Sequence, residues 1–296
     1  MKTTAIAVFC ALLAAAAVEV GNCLELTWGD PIEQRWNVLR SEATRLDHQG
    51  DWPEALRTAK LALTKADVTF GPMSLQAAKS HILLGNLYAK RGKFVSAEIH
   101  YNKGIGLLSR LLGPEHPIVV RPMALLAALY EGKGRTMEAE SAYHKAVVIC
   151  EGSDAVDDTT MVEALRGLAR VSENAGRLPE SEQLLVKALR TSERNAHSLR
   201  PSEPVTGLIM AELGDNHIKQ GNVLQAIRYY KRAVTELERY KTDPVLVCSV
   251  WNCLGKAYTQ IGSSSLACDA FNRGAALRSK MMLLVAATPL ESPGQD

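Results

Sequence analysis

Side chains able to do nucleophilic, acid–base or metal chemistry are present in this sequence, but their spacing does not assemble a reaction. The seven histidines are His48, His81, His100, His116, His144, His197 and His217, and no two sit at metal-ligand spacing with a thiol or carboxylate beside them. No metal site is expected on that pattern. A phosphate-cradling glycine loop, a GxSxG turn and an HExxH helix are all missing. Asp157 and Asp158 are adjacent carboxylates in a segment that looks like a solvated loop. No catalytic residue and no cofactor is therefore expected.

The remaining candidates are thiols. Of the six cysteines, Cys10 and Cys23 lie near the N-terminus, and Cys150, Cys248, Cys253 and Cys268 lie in the body of the chain. No two form a C-x-x-C redox pair. Cys253 and Cys268 fall on two successive helical stretches that an antiparallel turn would bring level, which makes them the candidate disulfide. A bridge requires about 4.4 to 6.8 Å between the Cα atoms. Small buried thiols in a helical core are the alternative.

The bulk composition, 47% apolar and 22% charged with 5% aromatic, is that of a helix-rich folded chain. A formal charge of +2 is too small for the dense basic stripe that nucleic acid demands. At the N-terminus, Lys2 precedes an apolar run from Ala5 to Val18, followed by Gly21, Asn22 and Cys23. This layout is that of a secretory signal over residues 1–23. The run falls short of the roughly 20 residues that span a bilayer, so cleavage rather than stable membrane insertion is expected. The chain is accordingly expected to be secreted, periplasmic or luminal.

What positions the remaining polar residues is a repeat. Leu84, Gly85, Leu87, Tyr88, Gly92, Ala97 and Tyr101 are matched by Leu126, Ala127, Leu129, Tyr130, Gly134, Ala139 and Tyr143, each 42 residues on. A turn glycine recurs at Gly50, Gly92, Gly134, Gly176, Gly221 and Gly262. Small residues recur in the first helix of each unit (Ala43, Gly85, Ala127, Ala169, Gly214, Gly255) and in the second (Ala55, Ala97, Ala139, Ser181, Ala226, Ala267). They mark close helix crossings. Bulkier fillers follow at Tyr101, Tyr143, Leu185, Tyr230 and Phe271, with Ala59 the exception. About six helical hairpins are expected over residues 30–287, with looser segments at Gly152–Thr159 and Asn195–Pro204 and a frayed tail at 288–296.

Trp251, Leu254, Gly255, Tyr258, Ala267 and Phe271 of the sixth hairpin resemble the tetratricopeptide (TPR) signature. The 42-residue period and the segment Leu112-Gly113-Pro114-Glu115-His116-Pro117 resemble the subtype of kinesin light chains and nephrocystin-like proteins. Ser172 and Ser181 of the fourth hairpin depart from the pattern, as drift within a retained hairpin. The resemblance implies an all-α, right-handed α-solenoid that is a non-catalytic scaffold for protein or peptide partners.

In such a stack the first helices line a concave face. Helical spacing places Arg40, Lys79, Asn86, Lys90, Arg121, Arg166, Arg170, Lys219, Asn252 and Lys256 on that face, with Asp215 among them. The balance is basic, which suits an acidic or mixed-charge peptide. Asn86 stands where, by resemblance, many peptide-binding relatives keep an Asn that bonds the ligand backbone. The chaperone-type carboxylate clamp is not reproduced, since Leu83 and Leu125 occupy its polar positions. A redox-responsive module built on Cys253 and Cys268 and a scaffold working through the convex face are the alternative readings.

Overall fold

In a computed structural model the structure describes residues 31–153, 156–196, 204–240 and 242–287. The expected signal, the expected tail and most of the Asn195–Pro204 loop lie outside these residues. Twelve α-helices occur among the described residues: α1 (Pro31–His48), α2 (Trp52–Phe70), α3 (Leu75–Lys90), α4 (Phe94–Leu112), α5 (Val120–Glu131), α6 (Thr136–Glu151), α7 (Asp158–Asn174), α8 (Leu178–Ala196), α9 (Val205–Lys219), α10 (Val223–Arg239), α11 (Pro244–Gln260) and α12 (Ser264–Ala287). Each odd-numbered helix packs on the even-numbered helix that follows, giving six hairpins.

The helix starts follow from local chemistry. Asp51, Ser74, Asp157 and Asp243 accept hydrogen bonds from Glu54, Ala77, Thr160 and Val245 backbone N–H groups, capping α2, α3, α7 and α11. Each cap contributes about 1 kcal/mol. Of the pair expected in a solvated loop, Asp157 is exposed just before the helix, where it caps and also accepts from the Thr160 hydroxyl, whereas Asp158 opens α7 paired with Arg194. His116 likewise caps a 3-10 turn, Pro117–Val119, by accepting from Ile118 N–H at 3.2 Å.

Every hairpin closes in the same way. The six turn glycines have φ between 68° and 85°. The residue after each glycine donates its N–H to the carbonyl five positions back: Leu46, Tyr88, Tyr130, Ser172, His217 and Tyr258, at 2.8–3.0 Å. This is the Schellman closure, which needs a left-handed residue that glycine supplies without a Cβ clash. Ser172 takes part like its counterparts, and Ser181 is fully buried, so the fourth hairpin is intact.

The chain divides into two compact units, one ending at Pro114 and one beginning at Glu115. In the first, α2 packs on α3 and the core is Trp36 with Ala43, Ala55, Ala59, Ala62, Leu84 and Leu87. The buried Trp36 indole donates to Ser80 Oγ at 2.9 Å, so its polar atom is satisfied. In the second, α6 packs on α7, α8 on α9 and α10 on α11, around Leu165, Leu185, Ile209, Leu213, Leu237 and Leu254. Within each unit the stacking leaves the odd-numbered helices with a polar face, which holds the candidate site.

Candidate functional site

The face is built through the hairpins from behind. A Cβ added at Gly85, Gly214 or Gly255 would come within 2.7, 2.5 or 2.6 Å of the ring of Tyr101, Tyr230 or Phe271. The aromatic side chain from the second helix therefore crosses the first helix where its backbone is bare. Tyr143 lies against Gly167 of the next hairpin, where a Cβ would meet the ring at 2.2 Å. Where the filler is smaller, as with Ala59 and Leu185, the crossing residue is alanine, Ala43 and Ala169.

This route carries phenol hydroxyls to the first-helix face. Tyr101 donates to Asn86 Oδ1 at 2.7 Å, Tyr230 to Asp215 Oδ1 at 2.6 Å and Tyr143 to Glu131 Oε2 at 3.3 Å. Burial raises all three phenols above the ordinary tyrosine range, so they remain donors. Asn86 thus uses its amide oxygen within the hairpin.

Much of the expected basic charge is paired within the fold. Arg166 forms a two-point pair with Glu212 at 2.9 and 2.6 Å, and Arg170 one with Glu131 at 2.9 and 2.8 Å. Lys219 is paired with Glu173, and Lys90 with Asp47. The two hydrogen bonds to Glu131 are the main reason that the Arg170 guanidinium is raised above its ordinary value. Arg40 lies over the Trp36 ring at 4.8 Å, with a buried Nε and its charged form disfavoured by desolvation. Asn252 turns toward α12, its Oδ1 3.2 Å from where a Cβ on Gly274 would stand.

Of the ten residues expected to meet a ligand, five cations are thus committed within the fold. Lys79, Arg121 and Lys256 form no ion pair among the described residues, and the last two are exposed. Asp215 has the opposite character. It accepts from Tyr230, and desolvation, reinforced by Glu173 and Glu212, raises its carboxyl above the ordinary range.

The residues that sequence reasoning passed over are the carboxylates. Asp47, Glu131 and Glu173 occupy one repeat position, four residues after the small crossing residue, and each captures a cation from the next hairpin. That periodicity was a usable signal. Asp47–Lys90 and Glu173–Lys219 repeat the same inter-hairpin link in the two units.

The expected Cys253–Cys268 bridge is not formed. Both are free thiols: Cys253 is half-buried on α11, and Cys268 is exposed on α12, where it accepts from Asn272. Burial first, and then Asp215, raise the Cys253 thiol, which makes it a poor thiolate. No group of three or more His, Cys, Asp or Glu able to hold a metal occurs among the described residues, and none of their helices is long and apolar enough to cross a membrane.

Known proteins were compared with this geometry. No protein-family model and no curated protein matches the chain. Solved structures do. BtubC (BKLC) from P. vanneervenii aligns with a TM-score of 0.64 at 19% identity, over 90% of this chain and 97% of that one. A putative kinesin light chain of nearly identical TPR-like repeats from Podosopora anserina gives 0.58 at 20%, over 70% and 98%. The pilF protein of Pseudomonas aeruginosa gives 0.58 at 15%, over 88% and 96%. At these identities the likeness defines the fold. The chain has a TPR-like repeat fold.

Proposed function

We propose that this protein is a non-catalytic adaptor that holds a polypeptide segment of mixed charge against the first-helix face. One observation carries the reading. The positions that build the hairpins repeat, whereas the position one residue past the crossing residue varies: Thr44, Asn86, Ala128, Arg170, Asp215 and Lys256, with only the two cations alike. A scaffold constant in its core and varied along one face suits recognition of a particular sequence. Unpaired Arg121 and Lys256 favour acidic residues in the ligand, and Asp215 favours a basic one. Of the acidic and mixed-charge ligands expected, the mixed-charge one is therefore favoured.

The 42-residue period supports a kinesin-light-chain-like repeat subtype. Lys2 and the apolar run Ala5–Val18 support export, which N-terminal sequencing of the mature chain tests. The binding face is tested by affinity capture with mass spectrometry, comparing wild type with Arg121→Ala/Asp215→Asn/Lys256→Ala. These changes leave the inter-hairpin ion pairs in place, and the amide oxygen introduced at position 215 can still accept from Tyr230. A partner retained by wild type and lost by the variant supports the assignment. The same partners on both overturn it.

A further inference from the structure

His81 on α3 and His100 on α4 occupy two defined repeat positions, four residues before the first small residue and three after the second. In the other hairpins these positions hold Leu39 with Thr58, Met123 with Ala142, Leu165 with Leu184, Met210 with Tyr229 and Trp251 with Ala270. Packing at this crossing is thus met elsewhere by side chains uncharged near neutral pH. The second hairpin instead brings two half-buried imidazoles together, Nδ1 to Nδ1 at 2.9 Å with ring centroids 5.2 Å apart. At that distance one Nδ1 carries the hydrogen and the other accepts it, so the pair is intact when both rings are neutral.

Part of the arrangement is structural. His100 stacks on Tyr88 with centroids 5.4 Å apart at 16°, and the fifth hairpin repeats the stack with the identities exchanged, His217 on Tyr229 at 5.3 Å and 16°. What the fifth hairpin lacks is the second imidazole, since Met210 stands where His81 does. The charged groups acting on the pair are cationic: Lys103 of α4 acts on both rings and Lys60 of α2 on His100, while α3 contributes the neutral Tyr88. Two donors without a third ligand, beside two ammonium groups, make a poor seat for a divalent metal. The proton remains as the ligand.

Burial, then the neighbouring imidazole and lysines, push His100 down to about 4, and burial and Lys103 hold His81 below the ordinary histidine range. The adjacent residue, Tyr101, is the ring seated over Gly85 that donates to Asn86. A Cβ added at Gly85 would stand only 2.7 Å from that ring, so Tyr101 lies directly on the α3 backbone and its seat depends on how closely α3 and α4 pack.

We propose that the His81–His100 pair is a proton-operated latch between α3 and α4: neutral, it holds the hairpin closed; protonated on both rings, it drives the helices apart and withdraws Tyr101 from Asn86. The latch stands independently of the adaptor reading, and its effect on ligand binding rests on that reading. Because both folded-state values lie below the unfolded one near 6.5, the stabilisation is fully present above about pH 6.5 and is lost as the pH falls toward 4. Allowing for solvent on the open side of the pair, His100 alone lowers the closed-to-open constant about tenfold between pH 7 and pH 5.

The test uses the full chain and His81→Leu/His100→Ala, residues that other hairpins already hold at these positions. Amide hydrogen exchange, corrected for intrinsic rates, is read at pH 7 and pH 5. Protection in α3 and α4 is expected to fall about tenfold in wild type and to stay nearly constant in the variant. Equal losses in the two proteins overturn the latch. Should the variant fail to fold, NMR titration of wild-type His81 and His100 decides: midpoints well below 6.5 support the proposal, and midpoints at or above 6.5 overturn it.

Discussion

Gly214 and Tyr230 form a matched pair, and the match predicts how each responds to substitution. A methyl group at position 214 would press into the ring at 2.5 Å. Gly214→Ala is therefore expected to destabilise by about 1 to 3 kcal/mol, although alanine favours a helix over glycine. Combining it with Tyr230→Leu recreates the Ala169 and Leu185 crossing of the fourth hairpin. The double variant is expected to lose less than the sum of the singles in urea unfolding; strict additivity would refute the coupling. The small residues and the fillers were each legible in the sequence as periodic sets. Their coupling was not, because a filler also meets the hairpin after its own, as Tyr143 does at Gly167. Contact across hairpins is not encoded in spacing within one.

Between helices, the ion pairs matter more for stacking than for ligands. Arg166 and Glu212 are 18% and 24% exposed, whereas Arg170 is 45% exposed. Arg166→Ala should destabilise the second unit by about 2 kcal/mol, leaving Glu212 partly buried and unpaired. Arg170→Ala should cost about 1 kcal/mol or less, and its effect should shrink as salt is added. Urea unfolding at low and high ionic strength checks both, and an equal, salt-insensitive loss would contradict the burial argument. Helical spacing led to Arg166, Arg170 and Lys219 as ligand contacts, and the structure pairs each with a carboxylate of a neighbouring hairpin. The reason is physical: periodicity fixes the direction a side chain leaves its helix, not the partner its flexible end reaches. Asp47, Glu131 and Glu173 share one repeat position, so following the carboxylates as closely as the cations would have revealed the pairing.

Across the molecule, the fold was the most legible feature, because a turn glycine, two small residues and a filler recur together in hairpin after hairpin. The face was less so, since its character depends on which charges remain after the hairpins have paired with one another. In the second unit, what remains of the expected set is Arg121 and Lys256 of one sign and Asp215 of the other. This set is the basis for a polypeptide ligand carrying both charges. The most direct measurement is selection of binders from a displayed random-peptide library, followed by titration of the selected peptides against wild type and Arg121→Ala/Asp215→Asn/Lys256→Ala. Selected sequences that combine acidic and basic residues, and bind the variant at least about tenfold more weakly, are the expected result. Uniformly acidic binders, binders indifferent to the three substitutions, or no binders at all would contradict the account.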